Sequence, residues 1–169
     1  QQDFQFGDYS LLNFVNISDD DREMVRRWRN HYDTRKWMYS EHFITKKEHC
    51  GFIKILKRET RNAFWVVRKN RRGCLGVVYL NRVDFNNRNG YLGLYANPDC
   101  QYRGTGYHLL QCIKKLAFGN LSLHTLKLEV FADNERAKKL YQKSGFSIEG
   151  VLKGFVFRDF GGKSDAAKK

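Results

Sequence analysis

The spacing of apolar positions changes along this chain, and each change marks a new element. Over residues 4–16 apolar side chains alternate around Gly7-Asp8, which predicts a first strand or hairpin. Ser18 followed by Asp19, Asp20 and Asp21 is a helix start: a capping hydroxyl, then acids at the positive end of the helix dipole. That helix turns Met24, Val25 and Trp28 inward and ends near Arg29-Asn30-His31. Trp37-Met38-Tyr39 falls in a loop, as a bulky apolar cluster suited to core packing. A second helix is predicted over 45–57, with Phe52, Ile53, Ile55 and Leu56 as its apolar positions.

The period then shortens to two. Residues 63–68 form a strand rich in aromatic and β-branched side chains, with a turn at Asn70-Arg71-Arg72-Gly73. Residues 75–85 and 90–95 are further strands of the same meander, separated by a turn at 86–89. Helical spacing returns over 107–118 through Leu109, Leu110, Ile113 and Leu116-Ala117. Alternation over 125–131 predicts another strand, and Asp133-Asn134-Glu135 opens a helix carrying Ala137, Leu140 and Tyr141. Gly145 reads as its left-handed stop. A last strand is expected from Phe146-Ser147-Ile148, with breaks at Gly150 and Gly154 and Phe155-Val156-Phe157 beyond. No repeat or linker interrupts the pattern, so it fits one α/β domain over residues 1–160, with 161–169 as a disordered tail.

Composition narrows the function more than the fold. Hydrophobic residues make up 41% of the 169, enough for a real core and too many for a disordered chain. The formal charge of +13 favours partners rich in phosphate and argues against a polycationic substrate such as a polyamine. The basic residues are spread along the chain instead of forming a block with exposed aromatics, which disfavours nucleic acid. No apolar run approaches a membrane span, and no segment has signal-peptide architecture, so a cytoplasmic protein without a membrane partner is expected. Cys50, Cys74, Cys100 and Cys112 lack metal-ligand spacing; buried, reduced thiols and no metal site are expected.

The chemistry starts at Gln101-Tyr102-Arg103-Gly104-Thr105-Gly106-Tyr107, a glycine-rich loop between a strand and a helix start. Such a loop leaves backbone N–H groups unpaired at the positive end of a dipole, a ready site for phosphate. A side chain at Gly104 or Gly106 would hold the phosphate off the backbone, and Arg103 adds a cation. A second group follows: Asn134, Ala137, Leu140-Tyr141 and Gly145-Phe146. Asn134 and Tyr141, seven apart on a helix, project from nearly one face.

These two motifs, in this order and spacing, resemble those of the GCN5-related N-acetyltransferases. The resemblance implies that family's fold: a mostly antiparallel twisted sheet, splayed between two strands and flanked by about four helices. It implies an acyltransferase with acetyl-CoA as donor. Gln101, Arg103, Gly104, Thr105, Gly106 and Tyr107 would hold the pyrophosphate. Backbone groups of Leu94, Tyr95 and Ala96 would pair with the pantetheine arm as an added strand would. Asn134 and Ala137 would lie along that arm, and Tyr141 would protonate the departing thiolate. Glu129, mid-strand beside the gap, is placed to take the amine proton directly or through water.

The first half resembles the family's nucleotide-sugar branch more closely. Trp28-Arg29-Asn30-His31, Trp37-Met38-Tyr39-Ser40 and Leu94-Tyr95-Ala96-Asn97-Pro98 are similar to the acetyltransferases of pseudaminic acid synthesis. Those act on the 4-amino group of UDP-4-amino-4,6-dideoxy-N-acetyl-β-L-altrosamine in bacteria that glycosylate flagellin. The resemblance implies that Arg29 and His49 hold the UDP phosphates and that Asn81 and Arg82 lie near the nucleotide. Met38, Tyr39, Phe52, Tyr91 and Tyr95 would line the sugar pocket. Residues 145–150 also look like the ribosomal-protein N-terminal acetyltransferases, so a peptide or another small amine stays open as acceptor. A basic nucleic-acid or CoA-binding module is the reading from another class. The oligomeric state is left open.

Overall fold

A computed structural model describes residues 1–100 and 102–157. Gln101 and the 161–169 tail lie outside the described residues. The sheet has six strands in chain order: β1 (Phe4–Phe6), β2 (Tyr9–Asn13), β3 (Ala63–Lys69), β4 (Gly73–Asp84), β5 (Asn89–Ala96) and β6 (Thr125–Lys127). Neighbours from β1 to β5 are antiparallel, and β6 joins β5 in parallel. This is the mostly antiparallel α/β sheet the alternation predicts.

The helices are α1 (Asp19–Asn30), α2 (Tyr32–Arg35), α3 (Lys46–Leu56), α4 (Thr105–Lys114), running on into a π-helical stretch (Lys115–Asn120), and α5 (Glu135–Lys143). Ser18 caps α1 by accepting from the Asp21 N–H, as its position predicts. Thr45 and Glu48 close a reciprocal capping box on α3. The four-residue α2 was not anticipated.

Each face of the sheet carries its own core. On one face α4 and the π-helical stretch bury Leu109, Leu110, Ile113 and Leu116 against Leu75, Val78, Leu80 and Leu92. On the other, Val25 and Trp28 of α1 and Leu56 of α3 pack with Phe14, Val66 and Val77. From Gly76 on, strand alternation sorts β4: Val78 and Leu80 pack under α4 and Val77 and Tyr79 on the α1 face, while the irregularity opposite Val67 and Arg68 brings Leu75 to the α4 side as well.

Four expectations are corrected. The strand over 125–131 stops at Lys127. Pairing with β5 covers only Asn89↔Thr125, Gly90↔Leu126 and Tyr91↔Lys127, and the chain then leaves the sheet. Residues 146–157 form no strand, because no ladder partner lies beside them among the described residues; Ile148, Val151, Leu152 and Phe157 are exposed. The 37–39 cluster is not core: Trp37 is 36% and Tyr39 51% exposed. Cys50 is exposed, so the thiols are not uniformly buried.

Candidate active site

The early end of β6 opens the sheet. β5 stays paired with β4 as far as Gly76↔Ala96, yet its other edge has no β6 partner beyond Tyr91 among the described residues. The backbone of 92–96 therefore presents unpaired polar groups along a gap, next to the start of α4.

That helix start is left open to an anion. Gly104 caps α4 at φ 79°, the left-handed region, and supplies no capping side chain. The first turn of α4 holds no acidic residue, whereas α1, α3 and α5 each combine a capping side chain with a first-turn acid. The positive end of α4 is thus left for an external group. Gly106 has a second reason to lack a side chain: a Cβ there would lie 3.1 Å from Leu140 Cδ2, where α5 crosses α4. Thr105 is buried and bonds back to the Tyr102 carbonyl. Arg103, Arg72, Tyr102, Asn97 and Asp99 line an open cleft of about 510 Å³ beside the loop.

Three tyrosines, Tyr79, Tyr95 and Tyr141, lie near one another, with Tyr79 an electrostatic neighbour of both others. The Tyr79 ring stacks on Phe64 at 4.8 Å between centroids. Tyr141, on α5, packs edge-on to Phe146 at 5.9 Å. Burial, with Tyr79 second, pushes the Tyr141 phenol up to about 12. Burial and then Tyr79 also raise Tyr95. The Tyr141 hydroxyl has no hydrogen-bond partner among the described residues. A phenol in this state keeps its proton at neutral pH and has it free to give.

At the far side of the gap, Glu129 accepts from the Tyr39 hydroxyl and from Arg82 Nη2 at 3.1 Å. The Arg82 guanidinium lies 3.7 Å over the Tyr91 ring. Four residues singled out from sequence are thereby brought together. Burial, followed by the Glu129 bond and charge, raises the Tyr39 phenol. Arg82 itself sits at φ 51° in the irregular stretch of β4 between Asn81 and Asp84, which turns its side chain toward Glu129.

Arg29 lies on the same side of the sheet, with Tyr95 and Tyr79 as electrostatic neighbours; partial burial lowers its affinity for its proton. His49 is placed elsewhere. It is 7% exposed, against Phe14 and Phe52, and its charged neighbours are Arg26, Glu23 and Arg22. Burial, with Arg26 adding to it, lowers it to about 4, so its ring is neutral. The structure does not bring His49 to Arg29. Phe52 packs edge-on to Phe64 at 5.1 Å. Asn81 lies opposite Tyr91 in the β4–β5 ladder, and Met38 is half-buried in the turn after α2. Asn134 caps α5, accepting from the Ala137 N–H at 3.2 Å. Leu94 packs under α4, while Tyr95 packs on the α1 face and Ala96 is exposed at the strand end. Tyr107 is half-exposed in the first turn of α4.

Sequence reasoning did not single out Tyr79 or Arg35, an electrostatic neighbour of Arg29. Tyr79 was hidden in an apolar strand, though its parity with Asn81 placed it on the site face. Arg35 lay in a helix that was not predicted. Among the described residues, no group of three His, Cys, Asp or Glu side chains is arranged to hold a metal ion.

Comparison with known proteins agrees with this geometry. The profile of the acetyltransferase (GNAT) family matches residues 22–146. Acetyltransferase PseH of Campylobacter jejuni is 35% identical over 147 residues, covering 87% of this chain and 90% of that protein. The crystal structure of C. jejuni PseH in complex with acetyl coenzyme A superposes with a TM-score of 0.71 at 28% identity, covering 86% of this chain and 92% of that one. A Vibrio cholerae spermidine N-acetyltransferase, solved with CoA and spermine, superposes at 0.81 with 20% identity over 91% and 89% of the two chains, a likeness of fold alone.

Proposed function

The chain belongs to the GNAT acetyltransferase family, an acetyl-CoA-dependent N-acetyltransferase, and from that premise we propose that its acceptor is a nucleotide sugar. The reaction we infer is acetylation of the 4-amino group of UDP-4-amino-4,6-dideoxy-N-acetyl-β-L-altrosamine, a step in pseudaminic acid synthesis for flagellin glycosylation. The observation that carries this reading is the 35% identity to PseH across most of both chains. The nearness of Arg29 to Tyr79 and Tyr95 supports it.

The open start of α4 suits the CoA pyrophosphate, with Arg103 beside it. The unpaired edge of β5 suits the amides of the pantetheine arm, which would lay the thioester in the gap. The neutral acceptor amine attacks the thioester carbonyl; a C–N bond forms and the C–S bond breaks. Tyr141 gives its proton to the leaving thiolate. Burial raises a thiol as it raises a phenol, so a thiolate released in this gap is a stronger base than one in water. Glu129, directly or through water, takes the proton the amine loses.

A polyamine acceptor fits poorly with a chain of net charge +13, despite the fold shared with spermidine acetyltransferases. A mass-shift assay with acetyl-CoA decides the matter. The protein is incubated with UDP-4-amino sugars, ribosomal N-terminal peptides and polyamines in parallel. A gain of one acetyl group on a UDP-4-amino sugar is expected; acetylation confined to peptides or polyamines overturns the proposal.

A further inference from the structure

We infer that Arg29 and Arg35 together form the receptor for the acceptor's diphosphate, with Arg35 supplying the second cation. This rests on the nucleotide-sugar reading above and assigns the residues that would grip it. Arg29 sits in the last turn of α1 and Arg35 ends α2, one corner later. Both reach the same stretch of chain. Arg29 Nη2 donates to the Ser40 carbonyl at 3.0 Å and Arg35 Nη1 to the Glu41 carbonyl at 3.2 Å. Each guanidinium then holds a nitrogen that is shielded from solvent and has no partner among the described residues: Nη1 of Arg29 and Nε of Arg35.

Two neighbouring cations with buried, unpaired N–H groups are costly alone and complementary to an anion that accepts from both. Arg22 and Arg68 also hold a buried, unpartnered nitrogen among the described residues, but each is already neutralised by a carboxylate, of Asp19 and Asp21, whereas Arg29 and Arg35 donate only to backbone carbonyls. Arg26, one turn before Arg29, is paired through Nε and Nη2 with Glu23 and through Nη1 with the Ile44 carbonyl. Nearby carboxylates are engaged with other groups: Asp33 with Lys36, Glu48 with Thr45 and His42, Glu129 with Arg82 and Tyr39. Two planar guanidinium groups match two adjacent phosphates, each able to accept more than one N–H. His49 meets none of these conditions, since it is a buried, neutral ring among Phe14, Phe52 and Arg26.

The test uses UDP and uridine as probes, titrated calorimetrically into protein saturated with CoA so that the donor's own diphosphate site is filled. In Arg35→Ala we expect UDP affinity to fall at least tenfold while uridine affinity is unchanged. Arg29→Ala should do the same, and Arg35→Lys should recover part of the loss, because charge returns without the planar fork. An equal loss for UDP and uridine would mean that Arg35 only shapes the loop, and would overturn the inference. So would UDP affinity that Arg35→Ala leaves intact, and in that case the nucleotide-sugar reading still stands. A wild-type protein that binds neither probe overturns both.

Discussion

The ring of Tyr79 occupies the space that a side chain at Gly93 would need: a Cβ on Gly93 would lie 2.0 Å from Tyr79 Cζ and 2.2 Å from its hydroxyl oxygen. The two residues face each other across the β4–β5 ladder. Gly93 thus lets a large ring lie flat on the sheet, on the strand whose far edge is open, with Tyr141, Tyr95 and Arg29 as its electrostatic neighbours.

Gly93→Ala should therefore displace the ring. Forcing a methyl group into a filled site costs about 1–3 kcal/mol. A thermal melt should show that loss, and turnover should fall with it. Tyr79→Leu shortens the side chain at the clash, so the double variant Gly93→Ala/Tyr79→Leu should be more stable than the sum of the two single changes. Strict additivity would show that the two residues do not compete for this space.

Tyr141→Phe removes the hydroxyl and keeps the ring against Phe146. Acetyl-CoA affinity should hold, while kcat falls by roughly 10²-fold or more, the scale of a lost general acid. The phenol, raised by burial to about 12, stays protonated past the ordinary tyrosine value near ~10. The sign follows from that rise. Below ~10 both the folded and unfolded states keep the proton, and stabilisation from holding it is lost only as pH climbs toward about 12. The wild-type kcat should show no basic limb below pH ~10. Unchanged turnover in Tyr141→Phe, or a limb at lower pH, would remove Tyr141 from proton transfer.

How much of this was legible in the sequence depends on how local each feature is. The cap at Ser18, the alternation of β3 to β5 and the glycine loop before α4 are set by neighbours in the chain and were readable. The residues proposed for the donor lie on one loop and one helix, so they could be named from local motifs. Alternation misled at 128–131 and 146–157, where apolar periodicity exists without a strand to pair with. On the acceptor side the side chains come from α1, α2, β4, β5 and the segment after β6. Nothing local says that Arg82 reaches Glu129, or that His49 turns into the core while Arg35 does not.

His49 gives a pH signature of its own. Burial lowers it to about 4, so the folded state excludes the imidazolium. Stability from the neutral ring is complete above the ordinary histidine value of ~6.5 and is lost as pH falls toward about 4. His49→Leu should flatten the fall in melting temperature over that window. In the wild type, the His49 ring proton should titrate by NMR with a midpoint near 4. A midpoint near ~6.5 would place the ring in solvent, where it would again be a candidate for the diphosphate.

The Tyr39–Glu129–Arg82 group ties the loop after α2 to the segment after β6. Removing either donor should loosen Glu129 without unfolding the chain, since Tyr39 and Arg82 are both about half-exposed. Tyr39→Phe and Arg82→Ala should each raise KM for the amine acceptor several-fold and leave acetyl-CoA affinity unchanged. Glu129→Gln keeps the shape but loses the base, so its effect should fall on kcat and be largest at the acid end of the profile, where the amine most needs help in losing its proton. If Glu129→Gln instead matched Tyr39→Phe, raising KM alone at every pH, Glu129 would be an anchor for the loop and the amine would lose its proton to solvent.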